Sequence, residues 1–326
     1  MHVLITGGAG FIGSHLTDLL IGRGDSVTIL DDLSTGRIEN LAPARAYARE
    51  RVEFIQGDVT DARLVTRLAH QADLIVHLAA AVGVFRIQND TLRSLHVNLR
   101  GTEVVLEAAH QAGTKLVVAS TSEVYGKNDC DGLNEESDRI IGSPLLSRWS
   151  YAEAKAIDET LTYQYVRHLG LQAIIIRPFN TTGPRQRGRY GMVVPRFIQQ
   201  AMAGEPVTVY GTGEQSRSFG HVLDIVGAIA TLVDTPDAYG QVFNIGNPAQ
   251  ITINGLAQKV VERTGSRSPI IHLDYETAYG PGFEDMQRRV PDISKISGLT
   301  GYQPRYSLDD IIDSIVAERR VLAVAS

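Results

Sequence analysis

The chain has 326 residues, 43% hydrophobic and 21% charged, with 31 Lys+Arg against 37 Asp+Glu for a formal net charge of -6. That balance argues against a basic nucleic-acid-binding face, and the single cysteine, Cys130, rules out an intrachain disulfide and a cysteine-built zinc site. The histidines lack ligand spacing, no apolar run reaches membrane-spanning length, and the N-terminus enters a strand rather than a signal peptide, so a cytoplasmic protein with no metal, nucleic-acid or membrane partner is expected.

In chain order, short apolar runs at 2–6, 26–31, 52–56, 74–78 and 115–119 predict strands covered on both faces. Helical patterns lie between them, the clearest over 92–111 with Leu95, Leu99, Val105, Leu106 and Ala109 in register. Such alternation implies βαβ units and a parallel sheet, which 172–177 and 242–245 are placed to extend. The second half is more broken. Loops are expected at 183–189 and 211–213, and helices at 193–203, 222–233, 253–263 and 308–317.

Thr6-Gly7-Gly8-Ala9-Gly10-Phe11-Ile12-Gly13 follows a predicted strand and opens a predicted helix. Glycines there permit positive φ, close approach of a pyrophosphate and tight helix–sheet packing, while the helix N-terminus offers unpaired N–H groups to phosphates. The next strand ends in Leu30-Asp31-Asp32. A carboxylate at that point suits both ribose hydroxyls and repels a 2′-phosphate, so NAD is favoured over NADP. Asp58, at another strand end, is placed to accept from the adenine amino group. The remaining cofactor contacts are expected from Ser34, Thr35, Gly36, Val59, Leu78, Ala79, Ala80 and Asn98.

Tyr151-Ala-Glu-Ala-Lys155 puts a phenol and an ammonium on one helix face. The ammonium is expected to lower the phenol's pKa and so make a base for a hydroxyl proton. Alone, this spacing more often marks a surface turn of helix; its place after the fifth strand of a Rossmann unit reverses that reading. Together with Ser120-Thr121-Ser122-Glu123-Val124-Tyr125-Gly126, Arg177-Pro178-Phe179-Asn180 and Gly183-Pro184-Arg185, these motifs resemble the extended short-chain dehydrogenase/reductase family of sugar-nucleotide enzymes. The resemblance runs from the first strand to about Leu308. It implies an α/β, Rossmann-type doubly wound parallel sheet with a smaller C-terminal substrate-binding lobe. Residues 1–180 would form the NAD-binding domain, with 221–246 a candidate to complete its sheet, and 181–326 mainly the sugar-nucleotide-binding lobe. Related enzymes also pair two helices per subunit into a four-helix bundle, here those containing Leu99–Leu106 and Tyr151–Tyr165, which implies a homodimer.

Within the family, enzymes that oxidise a sugar C4 hydroxyl diverge into epimerases, 4,6-dehydratases and decarboxylases. The dehydratases typically carry Asp-Glu at 122 and 123, where the Asp protonates a leaving hydroxyl that Ser122 cannot serve. The 4-epimerases usually have a small or apolar residue at the place of Glu123. Thr121-Ser122-Glu123 resembles the UDP-glucuronate decarboxylases, as does Trp149, and Arg289 stands where those enzymes place a catalytic Arg. The resemblance thus implies a UDP-sugar substrate, UDP-glucuronate favoured. Tyr151 would take the C4 hydroxyl proton, Thr121 and Ser122 would stabilise the enolate oxygen, and Glu123 with Arg289 would handle the proton delivered to C5. Asn180, Arg185, Tyr210 and Arg217 would join Thr121 and Arg289 in binding substrate. Many decarboxylases carry an Arg in place of Met192 and a Tyr in place of Ile87; Arg185, Arg187 and Arg189 are candidates to compensate. A 4-epimerase is the alternative. A non-catalytic NAD(H)-sensing module is opposed by the joint presence of Tyr151, Lys155 and Thr121.

Overall fold

A computed structural model describes residues 1–83, 90–188, 192–275, 277 and 286–325. Its centre is a seven-stranded, wholly parallel sheet of β1 (His2–Thr6), β2 (Ser26–Asp31), β3 (Val52–Gln56), β4 (Leu74–His77), β5 (Lys115–Ala119), β6 (Ala173–Pro178) and, from the second half, β11 (Val242–Ile245). The spatial order β11-β6-β5-β4-β1-β2-β3 reverses direction at β1 and β4, whose C-terminal ends therefore open a crevice.

Side chains alternate across this sheet with period two. Val3, Ile5, Val27, Ile29 and Val76 face one layer, packed by α1 (Phe11–Arg23) and α7 (Val222–Val233). Leu4, Leu30, Ile75, Leu116 and Val118 face the other, packed by α3 (Ala62–Ala69), α4 (Thr91–Ala112) and α5 (Ser150–Leu169). Two apolar faces on the inner strands explain their apolar runs; the edge strand β3, expected to be covered on both faces, instead leaves Glu53 and Gln56 exposed. A short α2 (Ala42–Ala48) completes the first layer.

A separate core holds the second lobe, where α6 (Val193–Ala203), α8 (Ile253–Thr264) and α10 (Leu308–Ala325) pack through Phe197, Ile198, Leu256, Val260, Ile311 and Ile315. The predicted 308–317 helix continues to Ala325 because Ala317–Ala325 contains good helix formers and no Gly or Pro. The lobe also contains strands too short to announce themselves by periodicity. β8 (Val207–Tyr210) pairs with β13 (Ile270–Leu273), and β9 (Ser216–Ser218) lies between β12 (Gln250–Thr252) and β14 (Arg288–Arg289). β7 (Thr181–Thr182) pairs with β10 (Gly220–His221), and α9 (Ser294–Thr300) follows β14. No helix among the described residues is long and apolar enough to cross a membrane.

Candidate active site

The main cleft opens at the C-terminal ends of β1, β2 and β4 and runs under the second lobe to Tyr210 and Arg217. At its inner end Gly7 has φ of +73°, and its N–H donates to the Leu30 carbonyl at 2.8 Å. A side chain on Gly13 would stand 2.4 Å from the Gly7 carbonyl oxygen and 2.7 Å from Gly8 Cα. Only hydrogen there lets α1 begin against the turn. The first helical bond runs from Ser14 N–H to the Gly10 carbonyl, which leaves the N–H groups of Phe11, Ile12 and Gly13 without helical acceptors beside the cleft. This is a cradle for a pyrophosphate.

Asp31 is buried at the end of β2, accepting from Ala9 N–H at 3.0 Å and Leu33 N–H at 2.8 Å. Burial raises its pKa, opposed by those two N–H groups. Both oxygens keep a lone pair for a ribose. Asp32, Ser34, Thr35, Asp58, Val59, Leu78, Ala79 and Ala80 also line the cleft. Gly36 and Asn98 do not, and act from behind. Gly36 abuts the Asp31 carboxylate, and Asn98 holds the loop after β4 by accepting from Ala81 N–H at 2.7 Å. The donor set thus fits a dinucleotide with an unmodified 2′-hydroxyl.

Across the cleft, the first turn of α5 presents Tyr151 and, one turn later, Lys155. The Lys155 ammonium is bound to Asp158, 3.1 Å away, and both side chains are almost fully buried. The phenol is accordingly not lowered as the sequence suggests. Burial, then the charges of Glu123 and Asp158, push its pKa above the ordinary tyrosine value, while the Thr121 hydroxyl and Arg289 favour the phenolate. Thr121 also accepts from Glu123 N–H, so that the turn after β5 aims Thr121, Ser122 and Glu123 into the cleft.

Glu123 is braced between two guanidiniums, Arg148 at 2.5 Å and Arg289 at 2.7 Å. Burial alone would raise its pKa, but the charges of Arg148 and Arg289, with their hydrogen bonds, hold it down at about 2. A carboxylate so held is an anchor for two arginines rather than a proton donor at neutral pH. Arg289 reaches the cleft because β14 pairs in parallel with β9, which sets Arg289 beside Arg217. Its neighbour Arg288 points away to Asp131. Arg289 also donates to Asn180, whose amide in turn donates to the Ser218 carbonyl at 2.7 Å.

Tyr210 and Arg217 line the far end, the former under the Arg196 guanidinium at 4.0 Å. Arg185, expected at the substrate, is placed elsewhere. Its guanidinium is bonded to Asp18 at 2.6 Å and its backbone N–H to Glu318, which removes it from the cleft lining. Met192 does line the cleft. Ile87 and Arg189 lie outside the described residues, and Arg187 reaches the Thr35 carbonyl. Trp149 is fully buried, with the Arg148 guanidinium 5.1 Å from its ring. Arg177 clamps Glu159 of α5 with two hydrogen bonds and so ties β6 to the catalytic helix. Sequence reasoning missed Arg148 and Asp158. Their signal was helical spacing, three residues before Tyr151 and three after Lys155.

Residues 4–315 match the family described as GDP-mannose 4,6 dehydratase. The chain belongs to this family, within the extended short-chain dehydrogenases/reductases. It is 38% identical over 308 residues to a UDP-N-acetyl-alpha-D-glucosaminuronate decarboxylase of Bacillus cytotoxicus, covering 93% of each chain. It is 36% identical to UDP-glucuronic acid decarboxylase 1 of Arabidopsis thaliana, over 98% of this chain and 70% of that one. Among solved structures, a UDP-glucuronic acid 4-epimerase of Bacillus cereus, in complex with UDP-glucuronic acid and NAD, superposes with a TM-score of 0.87, at 28% identity over 99% of this chain and 100% of that one. In this short-chain dehydrogenase/reductase the cofactor cradle and the Tyr151–Lys155 pair line one cleft.

Proposed function

We propose that the chain is an NAD-dependent UDP-glucuronate decarboxylase. The observation that carries this reading is the Arg289 guanidinium, held at the cleft wall beside Tyr151 by Glu123 and Asn180 and offering its Nε–H to the carboxylate of a sugar acid. The names of the relatives support the same substrate class. NAD, when bound, supplies the hydride acceptor for C4. Tyr151 takes the C4 hydroxyl proton, and Thr121 and Ser122 hold O4. The 4-keto product is a β-keto acid, so the C5–C6 bond breaks with its electron pair passing to O4 as CO₂ leaves. Hydrogen bonds from Thr121 and Ser122 stabilise that enolate oxygen. Arg289 and Arg148 steer the carboxylate, Glu123 keeps both guanidiniums in place, and C5 then takes a proton from solvent water. The 1–180 segment with 221–246 serves the cofactor and 181–326 mainly the sugar nucleotide, with Asn180, Tyr210 and Arg217 toward the UDP. A cytoplasmic homodimer joined through α4 and α5 belongs to the same reading; Ile157 and Tyr163 on the outer side of α5 are 47% and 48% exposed.

The test is incubation with UDP-glucuronate and NAD followed by mass spectrometry. A pentose nucleotide lighter by one CO₂ is expected, as UDP-xylose or its 4-keto form. The likeness to a UDP-glucuronic acid 4-epimerase favours a second reading. Unchanged mass with inversion at C4 would establish that reading and overturn ours.

A further inference from the structure

We infer that Asp158 is a positioning residue that sets the protonation balance of Tyr151 through Lys155. Tyr151, Lys155 and Asp158 stand at i, i+4 and i+7 on one face of α5. The Asp158 carboxylate is completely buried, and its Oδ2 lies 3.1 Å from Lys155 Nζ, which is itself 2% exposed. Burial raises the pKa of Asp158, opposed by the charge and hydrogen bond of Lys155 and by the Thr102 hydroxyl. A carboxylate buried this deeply is costly to fold without its ammonium partner. Here it stands against the ammonium that would otherwise act undiluted on the catalytic phenol.

The electrostatic consequence is direct. An ammonium beside a phenol stabilises phenolate, but a carboxylate at hydrogen-bond distance from that ammonium offsets much of its field. Other charged and titratable groups face this cluster from each packed element. Glu123 follows β5, Arg148 precedes α5 and Arg289 sits on β14, and these three neutralise one another in part. Glu159 on α5 is paired to Arg177 of β6. His77 on β4 is buried between Thr6 and Thr102, and burial with the nearby Lys155 charge holds its pKa down at about 3, so it is neutral. From α4 the uncharged Thr102 hydroxyl hydrogen-bonds the Asp158 carboxylate. Asp158 is therefore the negative charge that acts on Lys155 most directly. Its effect is to keep Tyr151 protonated until the loaded site supplies further positive charge. Free enzyme then carries a neutral phenol over an internally compensated Lys155–Asp158 pair.

This inference rests on Tyr151 and Lys155 being the acid–base pair, but not on which bond breaks after C4 oxidation. The test is a spectroscopic titration of the Tyr151 phenolate band, with and without NAD. It is read as wild type minus Tyr151→Phe, and again as Asp158→Asn minus Asp158→Asn/Tyr151→Phe. The Asp158→Asn midpoint should fall by about one pH unit or more, a tenfold or greater gain in phenolate at fixed pH. The acid limb of kcat/KM for the full enzyme should move down with it. An unchanged or raised midpoint would overturn the inference, since it would mean that Asp158 only supports the fold or that Lys155 discharges without it. Asp158→Ser leaves room for water and gives the same reading if the asparagine variant does not fold. A decarboxylation assay that fails while the midpoint shifts as expected would count against the proposed reaction and leave this inference standing.

Discussion

Replacing Glu123 with Gln isolates the Arg148–Glu123–Arg289 group. The side chains of Glu123, Arg148 and Arg289 are 18%, 7% and 12% exposed. A carboxyl held at about 2 against an ordinary 4.5 contributes about 3 kcal/mol to folding at neutral pH. The general cost of removing one partner from a buried ion pair, about 3–5 kcal/mol, agrees with that figure. Because the folded-state pKa is depressed, this stability is fully present above 4.5 and is lost as pH falls toward 2. Glu123→Gln should therefore be less stable by about 3 kcal/mol at pH 7 and by only about 1.5 kcal/mol at pH 3. Urea unfolding followed by fluorescence measures both. The chain has one tryptophan, and Trp149 is buried beside Arg148, so the signal reports this region. Equal stability of variant and wild type at pH 7, or a difference that does not shrink on acidification, would refute the bracing role.

Two further outcomes follow from the geometry. Gly13→Ala places a methyl 2.4 Å from the Gly7 carbonyl oxygen, so NAD affinity measured calorimetrically should fall by at least about tenfold; affinity equal to wild type would mean the turn can yield. Ile157→Glu puts a charge on the outer side of α5, away from Tyr151 and Lys155, and should convert the proposed dimer to a monomer in light scattering, with wild type measured alongside. An intact dimer would move the interface elsewhere.

The central sheet was legible because its inner strands are apolar on both faces and bounded by turn residues. The predicted 242–245 strand does join the sheet, beside β6, and the glycine turn lies where its spacing puts it. Less legible was whatever depends on pairings distant in sequence. β9 and β14 have three and two residues, too few for any period, yet their ladder brings Arg289 to Arg217. Arg185 reads from its motif as a substrate contact, but the turn that carries it gives it φ of +66° and hands its guanidinium to Asp18 on α1. The phenol pKa was misjudged for the same kind of reason. Tyr-x-x-x-Lys shows the ammonium, while the burial of Asp158 that offsets it depends on α4 and β4 closing over the helix.

The charges of the cleft sort into two buried groups with different consequences for chemistry. Lys155 and Asp158 cancel, so a proton can leave the sugar hydroxyl for Tyr151 only when further positive charge arrives nearby. Arg148, Glu123 and Arg289 form the second group, in which Glu123 aligns two guanidiniums close to that same phenol. A sugar acid brings a carboxylate that guanidiniums aligned by Glu123 can bind, a group that a neutral sugar lacks. The site therefore discriminates in favour of an acid before any bond is broken. Once C4 is a ketone, the carboxylate it has selected is the group β to that ketone, and its departure as CO₂ removes the charge that bound it.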